Sequence, residues 1–414
     1  MSGRFYAIII GMKLSEELIW RGFAAETTIK DPAELDTRAS KKFYWGADPS
    51  ADSLTIGNLA AAMMCACFVR HGYEPYLLVG GATGQIGDPK DNGERDLKSL
   101  EEVEHNKACI AAQMKNVVKS DNLVMVDNYD WFKEMNYLTF LREVGKVFSM
   151  TQLLDRQFVQ NRIGEGGSGI SYAEFSYTLI QGYDFLHLYR TYGIDLQLCG
   201  ADQFGNCSSG IHLIKRLEGA TADAWSTPLI IDPATGRKFG KSEGNAVWLD
   251  SKKTSVFDFY QFWMNQPDSS VEYLMKIYTL LSREEVEEIM REQALAPEKR
   301  MAQRALAKGV TEVVHGEQAT EAVIALSERL FTGGLNELTE DEIAEMGQYL
   351  AQGQMGRKLF DLLVETGLCA SKGEARKLAS AGAISVNGVK VTEDTVVDQV
   401  ALLKRGKNKF AVVM

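Results

Sequence analysis

The chain has 414 residues, too many for one ordinary core, and a composition of 45% hydrophobic and 24% charged residues marks a folded protein of two or three domains. A formal net charge of −11 excludes a general polyanion coat, although residues 356–414 carry ten Lys or Arg against six Asp or Glu and suggest a polyanionic partner for that segment alone. No apolar run approaches the roughly 18 residues that span a bilayer, and residues 6–10 run into Lys13 without a small-residue cleavage site, so a cytoplasmic protein with no membrane association is expected.

Residues 1–11 carry no periodic pattern and Met12 follows them, so they read as an extension ahead of a leading helix that reaches residue 35. From residue 36 to 232, short apolar runs at 42–45, 76–79, 123–126, 196–199 and 228–232 alternate with helical patterns, the rhythm of a Rossmann-like, doubly wound parallel sheet. Residues 233–254 form a loop-bearing linker. Between 255 and 346 the strands give way to 3.6-residue periodicity with acidic first turns, which predicts an all-α domain. The polar, glycine-rich stretch 347–355 reads as a second linker, and 356–414 as a small α+β unit whose hairpin turns at Asn387-Gly388. The cysteines Cys65, Cys67, Cys109, Cys199, Cys207 and Cys369 are scattered, Cys65 and Cys67 lack a zinc spacing, and reduced, mostly buried thiols are expected.

Four stretches carry chemistry. In the first, a strand ending at Trp45 feeds Gly46, where a missing side chain lets a ligand approach the backbone, and the next helix opens at Thr55-Ile56-Gly57-Asn58. Helix N-termini offer free N–H groups to phosphate, and Thr55 and Asn58 share a face of that first turn. In the second, Ser171 and Glu174 form a capping box, after which Tyr177, Gln181 and Asp184 place polar atoms along one side of a helix whose other neighbours are apolar. The third, Gly200-Ala201-Asp202-Gln203, follows a strand directly, where a carboxylate meets ribose hydroxyls in open parallel sheets. The fourth is Lys238-Phe239-Gly240-Lys241-Ser242. Its last three residues end a Walker A loop, but the required first glycine falls at Thr235, and residues 80–87 likewise fail the dinucleotide fingerprint.

In order and separation, the first and fourth stretches resemble the paired ATP signatures of class I aminoacyl-tRNA synthetases. With Gly-Ala-Thr-Gly-x-Ile-Gly-Asp-Pro at 81–89, the motif at 170–177, Gln181-Gly182-Tyr183-Asp184, the Asp202-Gln203 turn and Ala246-Val247-Trp248-Leu249-Asp250, the chain is similar to the bacterial tyrosyl-tRNA synthetase family from about residue 36 onward. The tail resembles an S-four type RNA-binding domain. The resemblance implies that L-tyrosine, ATP and tRNA(Tyr) are substrates, that Mg2+ accompanies the nucleotide, and that the chain forms a homodimer. It implies Tyr44 and Asp184 on the substrate phenol, Asp88, Tyr177 and Gln181 on the α-ammonium, and Asp48 and Gln203 along the bound tyrosine. Gly46, Ser50, Thr55, Gly57, Asn58, Lys238, Lys241 and Ser242 would surround the triphosphate, Gly200 and Asp202 the ribose, and Arg95 would add a phosphate contact.

Two departures stand out. The family usually has histidines where this chain has Thr55 and Asn58, and a small residue where it has Trp45. Thr-Ile-Gly-Asn is known in the related tryptophanyl enzymes, which makes tryptophan activation the same-class rival; a silent paralogue that binds structured RNA is the rival from another class. Tyr44, Asp184 and the RNA-binding tail argue against the first, and retention of Lys238 and Lys241 against the second.

Overall fold

The computed structural model describes residues 11–88, 98–154, 157–164, 167–231, 239, 241, 242, 245–332 and 334–414. The chain divides into two compact units, 1–246 and 247–414. No helix among the described residues is long and apolar enough to cross a membrane.

The principal elements of the first unit are α1 (Leu14–Arg21), β1 (Lys42–Ala47), α2 (Ile56–Arg70), β2 (Glu74–Val79), α3 (Leu100–Val118), β3 (Val124–Asp127), α4 (Tyr172–Tyr192), β4 (Leu196–Gly200), α5 (Phe204–Glu218) and β5 (Asp223–Thr227). The five strands pair in parallel in the order β3-β2-β1-β4-β5. Such strands are buried on both faces and read as apolar runs, which is why the first four were legible. The fifth lies at 223–227, ahead of the expected 228–232. Pro228 has no N–H to continue a ladder, and Leu229 and Ile231 are exposed while Trp225 is fully buried. The outer edge of β5 is closed by residues 25–28, through Ala25 N–H to the Ser226 carbonyl and Thr28 N–H to the Ala224 carbonyl.

Glu17 joins α1 to α2. Its carboxylate, with no solvent exposure, accepts hydrogen bonds from Arg21 Nε at 2.6 Å and His71 Nε2 at 2.7 Å, and also from Arg70. Burial alone would raise its pKa, but the His71 hydrogen bond and the Arg21 and Arg70 charges outweigh it and hold the group at about 2.

The second unit holds a helical part, with α6 (Val256–Met264), α7 (Asp268–Tyr278), α8 (Arg283–Leu295), α9 (Met301–His315) and α10 (Glu317–Thr332). It continues through α11 (Glu340–Met346), β6 (Ala351–Gly353), α12 (Leu359–Glu365), α13 (Lys372–Ser380), β7 (Ile384–Val386), β8 (Val389–Lys390), β9 (Ala401–Arg405) and β10 (Lys409–Val413). Its sheet runs β8-β7-β9-β10-β6. The stretch read as a linker therefore supplies an edge strand: Ala351–Gly353 pairs in parallel with β10. Nor is 356–414 a freestanding tail. Alternation along β9 and β10 turns Ala401, Leu403, Ala411 and Val413 toward α12 and α13. Phe410, on the other face and 1% exposed, lies 5.8 Å from both Phe257 of α6 and Phe331 of α10. The Phe257 amide donates to the Tyr349 carbonyl, and Lys409 pairs with Asp258 at 3.2 Å.

Two outcomes are expected. Phe410→Ala removes a ring enclosed by both parts of the second unit and should cost about 3–5 kcal/mol, read as a lowered denaturant midpoint for that unit. Glu17 has a folded pKa below its unfolded value of 4.5, so its contribution is present above pH 4.5 and is lost as pH falls toward 2. The wild type should exceed Glu17→Gln by roughly 3 kcal/mol near neutrality, and acid titration of both by denaturant melts should show the gap closing across that window.

Candidate active site

In this strand order the chain leaves β1 toward β2 and β3, whereas β4 and β5 lie on the other side. The crevice outside the carboxyl ends of β1 and β4 is thus the switch point at which open parallel sheets bind ligands. Gly46, Asp48 and Ser50 belong to the carboxyl end of β1, and Gly200, Asp202 and Gln203 to that of β4.

A polar network gathers there. Tyr177 Oη donates to Asp48 Oδ2 at 2.8 Å, and Thr83 Oγ1 donates to Asp48 Oδ1 at 2.6 Å. Asn128 Nδ2 donates to Thr83 Oγ1 at 3.0 Å and to Asp184 Oδ2 at 3.1 Å, while Trp131 Nε1 donates to Asp184 Oδ1 at 2.9 Å. The Ala82 N–H donates to Asn128 Oδ1 at 2.7 Å, which fixes the amide so that its nitrogen serves the network. A Cβ at Gly80 would collide with Thr83 Oγ1 and Asp48 Oδ1, so the glycine is needed for the hydrogen bond to lie against the backbone. Residues following β1, β2 and β3 are in this way tied to one face of α4.

A second cluster links the loops after β2 and β4. Gln203 Nε2 donates to Asp88 Oδ2 at 2.9 Å, Asn206 Nδ2 donates to Gln203 Oε1 at 3.1 Å, and Thr178 Oγ1 donates to Asn206 Oδ1 at 2.9 Å. Tyr177, grouped by resemblance with Asp88 on the α-ammonium, hydrogen-bonds Asp48.

Among the described residues, the buried side-chain atoms without a hydrogen-bond partner include Tyr44 Oη and Gln181 Oε1, both on residues that the resemblance places at this site. An orphaned buried group calls for an explanation, and a ligand that completes these hydrogen bonds supplies one. The Tyr44 ring tilts against Phe185 at 5.1 Å, and its phenol is held well above its ordinary pKa by burial, with the charges of Cys207 and Asp184 adding to this. Burial likewise lifts Asp184 well above the usual carboxylate range; the Asn128 and Trp131 hydrogen bonds oppose that shift, and the Asp48 and Asp127 charges add to it. Tyr177 is raised well above its ordinary value by burial and then by Asp48 and Asp88. Both tyrosine hydroxyls therefore keep their protons and can donate.

Depth separates three kinds of position. Tyr44, Tyr177 and Asp184 are buried, Asp48, Asp88, Gln181, Gln203 and Thr55 are intermediate, and Gly46, Ser50, Gly57, Asn58 and Asp202 are exposed. The atoms nearest a Cβ at Gly46 would belong to Leu78, at an ordinary 3.6 Å, so no close packing within the protein requires glycine there. Thr55 and Asn58 bond each other: Asn58 Oδ1 accepts from both Thr55 N–H and Thr55 Oγ1 at 3.0 Å. Trp45, next to Tyr44 but on the opposite face of the strand, is a 4% exposed core residue.

Lys238 and Arg95 lie outside the described residues. Lys241–Ser242 pairs in antiparallel fashion with Asn245–Ala246. Among the described residues no group of three or more His, Cys, Asp or Glu gathers to hold a metal ion. Sequence reasoning missed Thr83, Asn128, Trp131, Thr178 and Asn206 as members of the site. Thr83 sat inside a motif already singled out, and Asn128 is the residue immediately after β3, the place where such sheets present ligand contacts.

The family model described as tRNA synthetases class I (W and Y) matches residues 37–332, and that of the tyrosine–tRNA ligase SYY-like C-terminal domain matches 339–413. The tyrosine–tRNA ligase of Macrococcus caseolyticus is 39% identical over 416 residues, covering 97% of this chain and 99% of the relative. That of Streptococcus gordonii is 39% identical over 420 residues, covering 97% and 100%. Among solved structures, a C-terminally truncated mitochondrial tyrosyl-tRNA synthetase of Aspergillus nidulans superposes with a TM-score of 0.69 at 29% identity, covering 77% of this chain and 94% of that one. With a family model over residues 37–332 and relatives that match over nearly the whole of both chains, the chain belongs to the class I tyrosyl-tRNA synthetases.

Proposed function

We infer that the chain is a tyrosine–tRNA ligase, which joins L-tyrosine to ATP as tyrosyl-adenylate with release of pyrophosphate and then transfers the tyrosyl group to the 3′ end of tRNA(Tyr). The observation that carries the substrate reading is the partnerless phenol of Tyr44 beside the buried Asp184. A substrate hydroxyl between them completes the hydrogen bonding of Tyr44 and adds a partner to Asp184, whereas phenylalanine would leave the Tyr44 phenol unpaired. This enzyme type is itself the familiar instance of that discrimination.

The depth profile supports the rest of the assignment. Gln181, Asp88 and Tyr177 would serve the α-ammonium and Asp48 and Gln203 the rest of the bound tyrosine, while exposed Gly46, Ser50, Gly57, Asn58 and Asp202 and neighbouring Gly200 would form the nucleotide shelf. Because Asn58 Oδ1 is engaged by Thr55, its Nδ2 is the atom free to donate to phosphate. Lys238, Lys241 and Ser242 would bring positive charge and donors to the triphosphate, and magnesium would arrive on the nucleotide phosphates to screen the departing pyrophosphate.

The reaction needs no protein nucleophile. The tyrosine carboxylate, ionised at neutral pH, attacks the α-phosphorus in line; the bond to pyrophosphate breaks, and the chain contributes positioning and electrostatic stabilisation. A terminal ribose hydroxyl of the tRNA then takes the acyl group. The basic surplus of residues 356–414 suits the RNA, and homodimerisation and a cytoplasmic setting complete the proposal.

Purified protein should exchange pyrophosphate into ATP with tyrosine and not with phenylalanine or tryptophan; exchange driven by tryptophan would overturn the substrate assignment. Lys241→Ala should lower the activation rate far more than tyrosine affinity, since its contact belongs to the transition state. Single-turnover adenylate formation, set beside equilibrium tyrosine binding, checks this, and an equal loss in both would contradict that role.

A further inference from the structure

Trp131 is not accounted for by its hydrogen bond alone. It lies on the short helix Tyr129–Phe132, just past β3, is only half-buried, and holds Asp184 Oδ1 through Nε1 at 2.9 Å. An indole so placed can swing about its side-chain torsions unless something fixes its plane. His187 does so: the two rings stack with centroids 4.4 Å apart and 17° between planes. Residues three apart on a helix share a face, so α4 grips one indole twice, by its N–H edge at Asp184 and by its flat face at His187.

The imidazole is itself held in place. Its Nε2 lies 3.4 Å from Thr191 Oγ1, one turn further along α4, and the Tyr183 ring lies 6.3 Å from it. Burial, and then the nearby Arg190, lowers its pKa below the ordinary value. The ring is therefore neutral at neutral pH and stacks as a plain aromatic.

We propose that His187 is a positioning residue for phenol recognition, stacking the Trp131 indole so that its N–H stays on Asp184 and keeps the carboxyl group aligned toward the slot beside Tyr44. This rests on the reading of Asp184 and Tyr44 as the phenol site. Asp184 accepts from Trp131 on one oxygen and from Asn128 on the other, and in its ionised form each oxygen retains one lone pair. The two fixed donors leave those lone pairs a single orientation, and a loosened indole blurs it.

The test uses the full-length chain carrying His187→Ala or His187→Phe. In tyrosine-dependent pyrophosphate exchange, His187→Ala should raise KM for tyrosine about three- to tenfold, the size expected from loss of an aromatic pair. Its kcat and KM for ATP should move less than about twofold, and His187→Phe, which can still stack, should restore the tyrosine KM. Independently of activity, the Trp131 indole N–H should exchange with solvent faster in His187→Ala than in wild type or His187→Phe. An unchanged tyrosine KM in His187→Ala, a Phe variant as impaired as the Ala variant, or indole exchange that does not respond would each overturn the proposal. Absence of tyrosine-dependent exchange in the wild type would instead overturn the ligase reading, and indole exchange would still decide whether His187 positions Trp131.

Discussion

The first unit is organised around a carboxylate that has to be kept out of water. Asp184 is 2% exposed in the middle of α4, beside the buried Tyr183, Phe185 and Leu186, and a desolvated carboxyl group is costly unless donors reach it. Asn128 and Trp131, both placed by the end of β3, are those donors. Asn128 also reaches Thr83 after β2, and Thr83 reaches Asp48 after β1, so satisfying one buried group fixes the relative positions of three strand ends and α4. The same chain of hydrogen bonds that makes the fold tolerable shapes the crevice floor where the phenol slot is proposed. A parallel sheet presents its strand ends at one edge in any case; this network turns that edge into a defined geometry.

It also explains why part of the site was legible and part was not. Tyr177, Gln181 and Asp184 announce themselves because polar residues at helical spacing stand among Leu179, Tyr183, Phe185 and Leu186, all of them buried. Asn128 and Thr83 leave no such trace: each is one short polar residue in a loop, and its importance comes from a neighbour far away in the chain. The strands were readable where burial on both faces gave an apolar run. At β5 that signal pointed to residues 228–232, while the true strand carries Asp223 and Ser226 beside Ala224 and Trp225, polarity that its bonds to the N-terminal segment accommodate.

The second unit teaches a related lesson about linkers. Gln352, Gly353 and Gln354 look like a spacer in composition, yet β6 completes a sheet and Gly353 is buried. A Cβ there would press on Leu362 and Thr366, so the glycine marks close packing and not flexibility. Gly388 at the hairpin turn has φ of +78° and lies against Leu335 and Asn336, again where a side chain would intrude. Both parts of this unit share Phe410, so residues 356–414, with their surplus of basic residues, are carried on a body continuous with the helices.

The Thr55–Asn58 pair brings these strands of argument to one point. As a helix cap the pair needs no further purpose, since Asn58 Oδ1 satisfies the Thr55 N–H that opens α2. That same contact, however, spends the acceptor end of the Asn58 amide on the protein and leaves only its two N–H donors at an exposed position. A histidine offers one donor and depends on its tautomer to offer it; an asparagine whose oxygen is already bound offers donors at every pH. The cap therefore does not compete with the proposed role toward phosphate: it occupies the amide oxygen and leaves the N–H donors to that role.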